Sequence, residues 1–209
     1  MKILNVNKHC KKQIVKILAE AFDSDPVFNW ICSETDFPRL IFDAWTPSFF
    51  SQNYTYITDD ESGTALCLPP GVKLSFSAAA AVLWKIFRSF GFGALRRALR
   101  VYSNLRKHHY PFPHFYLFAV GVLKEAQGKG LGSILILEIT GLCDAMNMPA
   151  YLENSNEKNL ALYQRNGFHT IQELKFDGGP TLWLMLREPR KPGAHLTSTA
   201  PDASPKGAA

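Results

Sequence analysis

The most informative segment of this chain is Phe115-Tyr-Leu-Phe-Ala-Val-Gly-Val-Leu-Lys-Glu-Ala-Gln127-Gly-Lys-Gly-Leu-Gly-Ser133. An apolar run typical of a strand leads into a glycine-rich turn, and a long apolar segment begins at Ser133. A strand, a glycine turn and a helix in this order direct several backbone N–H groups at one anion, with the helix dipole behind them. Because Gly130 and Gly132 carry no Cβ, the backbone can approach a phosphate closely. The stretch therefore predicts a site for a phosphate-bearing ligand.

Two common glycine loops do not fit this stretch. A P-loop needs a Lys-Ser or Lys-Thr pair after its glycines, and the dinucleotide fingerprint needs G-x-G-x-x-G, whereas Ser133 stands where the third of those glycines would be. The remaining pattern is Q-x-x-G-x-G, formed by Gln127, Gly130 and Gly132. An ordinary tight turn is the plainer interpretation. The pattern is also the pyrophosphate-binding signature of the GNAT superfamily of acyl-CoA-dependent N-acyltransferases, and the chain resembles that family.

The segments after the loop support the resemblance. The apolar segment 134–146 predicts a helix packed closely on a sheet. A short strand is predicted at 148–153, and a helix at 159–166 is stopped by Gly167. Two further strands follow near 168–175 and 181–187. This order matches the C-terminal half of a GNAT domain, so the resemblance implies an α/β fold with a mixed, mostly antiparallel central sheet flanked by helices.

A narrower resemblance is to the puromycin N-acetyltransferase-like branch of the family. Its motifs cover roughly residues 114–187, with looser matches near residues 21–26 and 65–71. Lys124 departs from the family pattern, which has proline at the junction of strand and loop. The motifs that carry this resemblance are His114–Leu117, Leu152–Ser155, Asn159-Leu160, Tyr163–Phe168 and Gly179–Trp183.

Length and composition predict one domain over residues 1–188, followed by a disordered tail at 189–209 that is rich in Pro, Ala, Ser, Thr and Gly. No uninterrupted apolar run reaches the roughly 20 residues that span a bilayer, and the first residues lack a signal-peptide core, so we expect a cytoplasmic protein without a membrane span. The cysteines show no C-x-x-C spacing, which indicates free thiols and no metal site.

The first half of the chain is predicted to supply flanking helices and a strand hairpin. Residues 25–36 read as an aromatic-rich turn. The other predicted elements are a strand at 2–6, helices at 8–22 and 38–52, a hairpin of 54–58 with 64–68, and a helical stretch at 78–107 broken near Gly91–Gly93.

Charge is unevenly distributed along the chain. The net charge is +5, and every charged residue from Lys73 to Lys124 is a lysine or an arginine. Within this range, the basic stretch from Lys85 to Lys107 is open to three interpretations: a solvated helix face, a surface that steers or holds the nucleotide end of coenzyme A, or a contact with membrane or nucleic acid. The interleaved aromatics Trp84, Phe87, Phe90 and Phe92 favour a packed helix face over a base-stacking platform, so no nucleic-acid partner is expected.

The resemblance implies where acetyl-CoA binds. In GNAT enzymes the backbone of the strand before the loop holds the acyl carbonyl and the pantetheine amides, which here implies Val120, Gly121 and Val122. The plain alternative is a buried strand. The loop residues implied to hold the coenzyme are Gln127, Gly128, Lys129, Gly130, Leu131, Gly132 and Ser133.

Two side chains on one helix face complete the implied coenzyme site. Tyr163 follows Asn159 by about one helical turn, so both lie on the same face. In the family the matching tyrosine protonates the departing sulfur, and the matching asparagine contacts the coenzyme. The alternative for Tyr163 is a core aromatic residue.

The general base has three candidates: Glu153 at the end of a strand, His114 at the start of the preceding one, and water. Each side chain also has a structural interpretation, as a capping or salt-bridging glutamate and a structural histidine. A lysine-like amine with a pKa of about 10.4 costs about 4–5 kcal/mol to deprotonate at pH 7, whereas an α-amino group near pKa 8 costs about 1.4 kcal/mol. An α-amino acceptor would therefore need only a weak base.

These observations predict an N-acetyltransferase that transfers acetyl from acetyl-CoA to a primary amine of a small molecule, puromycin-like or other, by direct attack in a ternary complex. The acceptor pocket would draw an apolar wall from the 25–30 loop, the second helix and the basic insertion, while Asp23, Asp25 and Asp36 would cap helices or bind a cationic amine. The alternatives are a protein or peptide N-acetyltransferase, a non-catalytic acyl-CoA sensor, and a basic protein associated with membrane or nucleic acid.

Overall fold

Residues 1–190 are described by the computed structural model, in which one seven-stranded sheet carries helices on both faces. The strands are β1 (Ile3–Asn5), β2 (Thr55–Thr58), β3 (Gly63–Leu68), β4 (Phe115–Val122), β5 (Ala150–Asn154), β6 (His169–Lys175) and β7 (Thr181–Arg187). The helices are α1 (Lys11–Ala21), α2 (Pro26–Ile31), α3 (Phe37–Trp45), α4 (Pro47–Phe50), α5 (Phe76–His108), α6 (Leu131–Ala145) and α7 (Leu160–Arg165). The predicted tail falls almost wholly on residues 191–209, which lie outside the described residues.

The order of the strands is β1-β2-β3-β4-β5-β7-β6. Every neighbouring pair is antiparallel except β4 and β5, which run parallel. The α6 crossover joins those two strands, because parallel neighbours cannot be linked by a tight turn. The predicted mixed, mostly antiparallel sheet is confirmed.

Two apolar layers hold the helices to the sheet. On one face α6 buries Leu135, Ile136 and Ile139 against the strands. On the other face α1 buries Ile14, Ile17 and Leu18, and helices α2 to α5 extend the same layer. The site described below lies where the sheet opens between these layers.

Helix α5 is bent at Gly91, whose φ of 79° and ψ of −176° interrupt the helical backbone. A residue with a Cβ rarely adopts this conformation, so the glycine explains the break, and the predicted interruption is confirmed. By length and composition alone, α5 is the one helix in residues 1–190 that could cross a bilayer. Core helices of globular domains meet the same criterion, and part of α5 packs in the core.

Three expectations for the first half of the chain were wrong. Residues 25–36 contain the helix α2, because the Asp25 side chain caps its first amides and Pro26 fits the first helical position. The predicted second helix is two helices, α3 and α4, with Pro47 opening the second. The aromatic side chains predicted to form a packed face of α5 do not all do so. Phe90 is half-buried, but Trp84, Phe87 and Phe92 are exposed. The buried stripe of the helix is formed instead by Ala79, Val82 and Ile86.

Candidate active site

The sheet opens between its two parallel strands. Strands β4 and β5 pair only at Phe115 with Ala150 and at Tyr116 with Tyr151. On its other side β4 stays paired with β3 as far as Val122. From Leu117 to Val122, one edge of β4 therefore has no strand partner among the described residues, and its backbone groups face a cleft.

A β-bulge lies at the start of this opening. Cys67 pairs with Leu117 and Leu66 pairs with Ala119, so Phe118 is the extra residue on β4. As a result, Leu117 packs toward the α6 layer, whereas Phe118 and Ala119 both pack toward the α1 layer. The bulge bends β4 at the point where it leaves β5, which widens the cleft.

Side chains from four elements line the cleft. The end of α1 supplies Ala21 and Phe22, and Asp25 lies just before α2. Strand β4 contributes its residues from Leu117 to Val120. The other wall comes from β5, the turn after it, and α7, as Leu152, Glu153, Asn154, Ser155, Asn156, Asn159 and Tyr163.

The predicted aromatic wall differs from the one observed. Trp30 lies away from the cleft, because its indole N–H donates to the Gly178 carbonyl at 2.8 Å and its ring packs on Phe176. Phe28 is held in an aromatic cluster with Phe37. The aromatic side chains that line the cleft are instead those of Phe22 and Phe118.

The glycine loop is fastened to the end of β4. Gln127 donates from Nε2 to the Val122 carbonyl at 3.0 Å, so the signature glutamine shapes the loop. Gly128 and Gly130 have φ values of 78° and 83°, a region that favours glycine, and a Cβ on either would meet open space. Gly130 precedes the first residue of α6, and no side chain among residues 1–190 caps that helix. The free N–H groups of its first turn are thus available to an anion.

Three of the predicted coenzyme residues also have packing roles. A Cβ on Gly132 would lie 3.4 Å from Leu162 Cδ2, so α6 and α7 meet closely there. Ser133 Oγ accepts a hydrogen bond from Asn166 Nδ2 at 3.3 Å, which joins the same two helices. Gly121 faces α1, where a Cβ would come within 2.9 Å of Leu18 Cδ2. Such close packing fixes the loop between β4, α6 and α7.

Lys124 stands where the resembled family has proline, and the structure shows what it does there. Its backbone N–H donates to Glu20 Oε1 at 3.1 Å, and its Nζ pairs with Asp23 Oδ2 at 3.0 Å. Proline provides neither group. The residue therefore ties the loop to the C-terminal end of α1 without disturbing the glycines.

Tyr163 and Asn159 both line the cleft, as their spacing predicted. Burial raises the pKa of the Tyr163 hydroxyl to about 12, and the nearby Asp25 carboxylate adds to the rise. The hydroxyl therefore keeps its proton at neutral pH. Asn159 occupies the N-cap of α7 but makes no side-chain capping bond, which leaves its amide available to a ligand.

Asp25 is a structural carboxylate. Its Oδ1 accepts hydrogen bonds from the Val27 and Phe28 N–H groups, both at 2.9 Å, and Ser155 Oγ donates to Oδ2. Burial raises the pKa of this carboxyl, and these hydrogen bonds oppose the rise. The capping role expected for Asp25 is confirmed, and the Ser155 bond joins α2 to the turn after β5.

Glu153 lies at the centre of a hydrogen-bonded cluster, with its side chain only 7% exposed. Tyr116 Oη donates to one carboxylate oxygen at 2.5 Å. The other oxygen accepts from Tyr151 Oη at 3.1 Å and lies 3.1 Å from His109 Nδ1. Burial raises the pKa of both tyrosine hydroxyls, so they remain donors.

His114 lies beside this cluster but makes no hydrogen bond to the carboxylate. Its Nδ1–H donates to the Phe112 carbonyl at 2.7 Å, which leaves Nε2 as the acceptor of the neutral ring. Burial lowers the pKa of the ring, so it is mainly neutral at pH 7. Its centroid is 5.0 Å from that of His109, whose ring was not predicted to take part in the site.

Comparison with known proteins agrees with this geometry. Residues 86–168, which include β4, the glycine loop and α7, match the model of the Acetyltransferase (GNAT) family. An uncharacterized N-acetyltransferase of Schizosaccharomyces pombe is 28% identical over 219 residues, covering 92% of this chain and 85% of that protein.

Solved structures share the fold across nearly the whole chain. A structure described as histone acetyltransferase HPA2 and related acetyltransferase, from Corynebacterium glutamicum, is 24% identical with a TM-score of 0.63, covering 92% of this chain and 98% of that one. Arylalkylamine N-acetyltransferase 2 of Aedes aegypti is 16% identical with a TM-score of 0.66, covering 90% and 98%. The polyamine N-acetyltransferase of Drosophila melanogaster is 14% identical with a TM-score of 0.61, covering 90% and 99%.

The narrower resemblance to the puromycin N-acetyltransferase-like branch stays a prediction. The family-model match covers the glycine loop and the splayed strand, and the curated relative extends the likeness along most of the chain. The likeness over residues 86–168 and the shared fold indicate an acetyltransferase of the GNAT type.

Proposed function

We propose that the chain transfers an acetyl group from acetyl-CoA to a primary amine of a small molecule, by direct attack in a ternary complex. The observation that carries the proposal is the placement of two protonatable side chains on one cleft. Tyr163 and Glu153 both line the opening where β4 leaves β5. Acyl transfer to an amine needs a proton donor for the leaving sulfur and an acceptor for the amine proton, and the cleft offers one of each.

The donor would lie along the free edge of β4. The first-turn amides of α6 and the loop from Gln127 to Gly130 fit a pyrophosphate, because they are uncapped and unobstructed. The unpaired N–H and C=O groups of β4 fit the amides of an extended pantetheine arm, which they would bind as a further strand. Asn159 would add a side-chain contact near the same arm.

Tyr163 would act as the general acid. Its hydroxyl pKa of about 12 keeps it protonated at pH 7, so it can donate to the sulfur as negative charge develops there. Because a thiol with a pKa near 8.5 is the stronger acid, full transfer of the proton is uphill, and the tyrosine would regain its proton from solvent after the thiolate departs. Removal of a general acid typically reduces a rate about 100-fold or more.

Glu153 would accept the proton of the attacking amine, directly or through water. Its carboxylate could pass that proton to His109 Nδ1, which lies 3.1 Å away on a side chain that is 35% exposed. His109 would then release a proton from its other nitrogen to solvent. His114, with its free Nε2, is the alternative base, and for an acceptor of low pKa water alone would suffice.

A small-molecule acceptor is favoured over a peptide by the walls of the cleft. Phe22 and Phe118 form an apolar side beside the buried Asp25. Among the proteins with the same fold, an arylalkylamine and a polyamine N-acetyltransferase are named for small amines. Others are a histone acetyltransferase and Naa20 from Chaetomium thermophilum, so a peptide amine belongs among the acceptors to be tested.

Matched variants test the two roles by initial rates of thiol release. Tyr163→Phe should lower kcat at least about 100-fold while acetyl-CoA still raises the melting temperature of the protein. Tyr102→Phe, on α5 and outside the cleft lining, is the matched control and should keep full activity. A Tyr163→Phe enzyme as fast as the wild type would overturn the assignment of the acid.

A further inference from the structure

The first half of α5 has three faces. At about 100° per residue, the buried face carries Ala79, Val82 and Ile86. The next sector, about 80° wide, holds Phe76, Ala80, Trp84 and Phe87 and points to solvent. The basic residues Arg88 and Lys85 follow on the next side of the helix, and both are exposed.

The aromatic sector is unusually exposed. Phe76, Trp84 and Phe87 show 72%, 63% and 46% of their surface to solvent, and beyond the bend Phe92 shows 70%. Single exposed apolar residues are common on protein surfaces, but a contiguous aromatic stripe marks an interaction site. The buried stripe of the same helix already satisfies its packing on the core, so the aromatic stripe has no partner within residues 1–190.

The charges beside the stripe indicate what covers it. No acidic residue occurs between Lys73 and Lys124. Arg97 and Arg100 are used in the fold, donating to the Ile31 and Asp177 carbonyls. Lys85 and Arg88 form no salt bridge with any described residue and do not line the catalytic cleft, so they are free to meet an external anion.

A symmetric contact with a second copy is disfavoured because it would bring two basic faces together. An aromatic stripe with lysine and arginine along its side is the pattern of helices that lie in the interface of anionic membranes. There the aromatic side chains enter the boundary of the acyl chains while the cations meet lipid phosphates.

We propose that the N-terminal half of α5 docks on an anionic lipid surface, with Phe76, Trp84 and Phe87 inserted and Lys85 and Arg88 paired with headgroups. The helix would lie along the membrane and would not cross it, because its buried face is packed on the protein core. This property is separate from acetyl transfer and would bring the enzyme to substrates at a membrane.

Sedimentation with lipid vesicles tests the charge requirement. The full chain should bind vesicles of phosphatidylcholine mixed with phosphatidylserine, and should bind phosphatidylcholine alone far more weakly. Lys85→Gln with Arg88→Gln should weaken binding about 30-fold, at about 1 kcal/mol per cation. The control Lys12→Gln with Lys16→Gln makes the same change of net charge on exposed residues of α1 and should leave binding unchanged. Equal loss in both variants would overturn the proposal in favour of nonspecific charge attraction.

Tryptophan emission tests the insertion. Anionic vesicles should shift the emission of the wild type to shorter wavelength, and Trp84→Phe should bind with nearly no shift. Trp84→Ala with Phe87→Ala should weaken binding at least about tenfold, whereas Leu137→Ala, at an exposed apolar residue of α6, should not. No vesicle binding by the wild type, or a lipid-free dimer dispersed by the Trp84→Ala and Phe87→Ala substitutions, would refute a lipid partner. Binding to soluble polyanions without an emission shift would refute it as well.

Discussion

Substitution of Gly121 by alanine tests how tightly α1 packs on the strand that forms the cleft. The new Cβ would lie 2.9 Å from Leu18 Cδ2 and 3.1 Å from Ala21 Cβ. The leucine methyl can rotate, but the alanine Cβ belongs to the helix itself, so α1 must move away from β4. Overpacking of this kind costs about 1–3 kcal/mol, and the lower entropy of the unfolded alanine chain returns about 0.4–1 kcal/mol. We expect a net loss of about 1–2 kcal/mol.

Gly141→Ala is the matched control, for which we expect the opposite change in the free energy of unfolding. Gly141 lies in the interior of α6, and a Cβ there meets no atom within 4 Å. Higher helix propensity should stabilise this variant by about 0.5–1 kcal/mol. In urea unfolding followed by circular dichroism, the two variants should move to opposite sides of the wild type, and thermal midpoints should shift by about 2–4 °C per kcal/mol.

Adding acetyl-CoA distinguishes an effect of the Gly121→Ala substitution on folding stability from an effect on ligand binding. The proposed contacts of β4 with the donor are made by its backbone, so saturating acetyl-CoA should add a similar increment of stability to Gly121→Ala and to the wild type. If Gly121→Ala proved as stable as Gly141→Ala, the close packing of α1 on β4 would be wrong. If it kept its stability but lost the ligand increment, Gly121 would act in binding and not in packing.

Three further perturbations have defined outcomes. Asp144→Asn should cost about 2–3 kcal/mol, because an amide has one acceptor oxygen in place of two, so the buried Arg187 loses one of its two 2.8 Å bonds and its counter-charge. The hydrogen bonds from Arg187 lower the pKa of the Asp144 carboxyl in the folded state. The stability that this carboxylate contributes is therefore complete above its unfolded pKa of about 3.9 and is lost as the pH falls through its folded pKa. The melting temperatures of the wild type and of Asp144→Asn should converge at that low pH. Gly130→Val should weaken acetyl-CoA binding at least about tenfold in calorimetry, because φ of 83° strains a β-branched residue. His109→Gln should lower kcat and change its solvent deuterium isotope effect if His109 relays the proton of Glu153, whereas a lower kcat with an unchanged isotope effect would indicate a purely structural role.

Local signals were enough to predict the C-terminal half of the fold and the break in α5. Gly167 ends α7 with φ of 90°, and Gly91 breaks α5 with φ of 79°, both at positions where the sequence indicated a stop. The apolar run of β4 and the apolar helix α6 likewise follow from patterns within a few residues. Such elements depend on backbone preference and hydrophobic period, which a single sequence displays.

The partners of the site residues could not be predicted in the same way. Tyr116 lies in β4, two residues after His114, and was open to inference, but its bond to Glu153 depends on the pairing of β4 with β5. His109 is brought to Glu153 only by the path of the chain after α5, in a region without recognisable motifs. The bulge at Phe118 is equally invisible, because it is defined by the register with β3.

The direction of the α5 aromatics illustrates the same limit. The helix carries one apolar stripe of small and branched residues and a second one of aromatics, and periodicity alone does not tell which faces the core. The stripe of small and branched residues faces the core, because Ala79 and Val82 allow the helix to approach it closely.

Acetyl transfer to a small amine is tested by thiol release from acetyl-CoA with a panel of primary amines that includes puromycin, an arylalkylamine, a polyamine and a peptide, with the product mass measured in each case. We expect turnover with at least one small amine, an acetylated product, and strong loss of turnover in Tyr163→Phe. Stabilisation by acetyl-CoA without turnover on any amine would contradict the catalytic claim, and turnover with the peptide alone would contradict the small-molecule acceptor. The absence of both turnover and acetyl-CoA binding would contradict the assignment of the glycine loop itself.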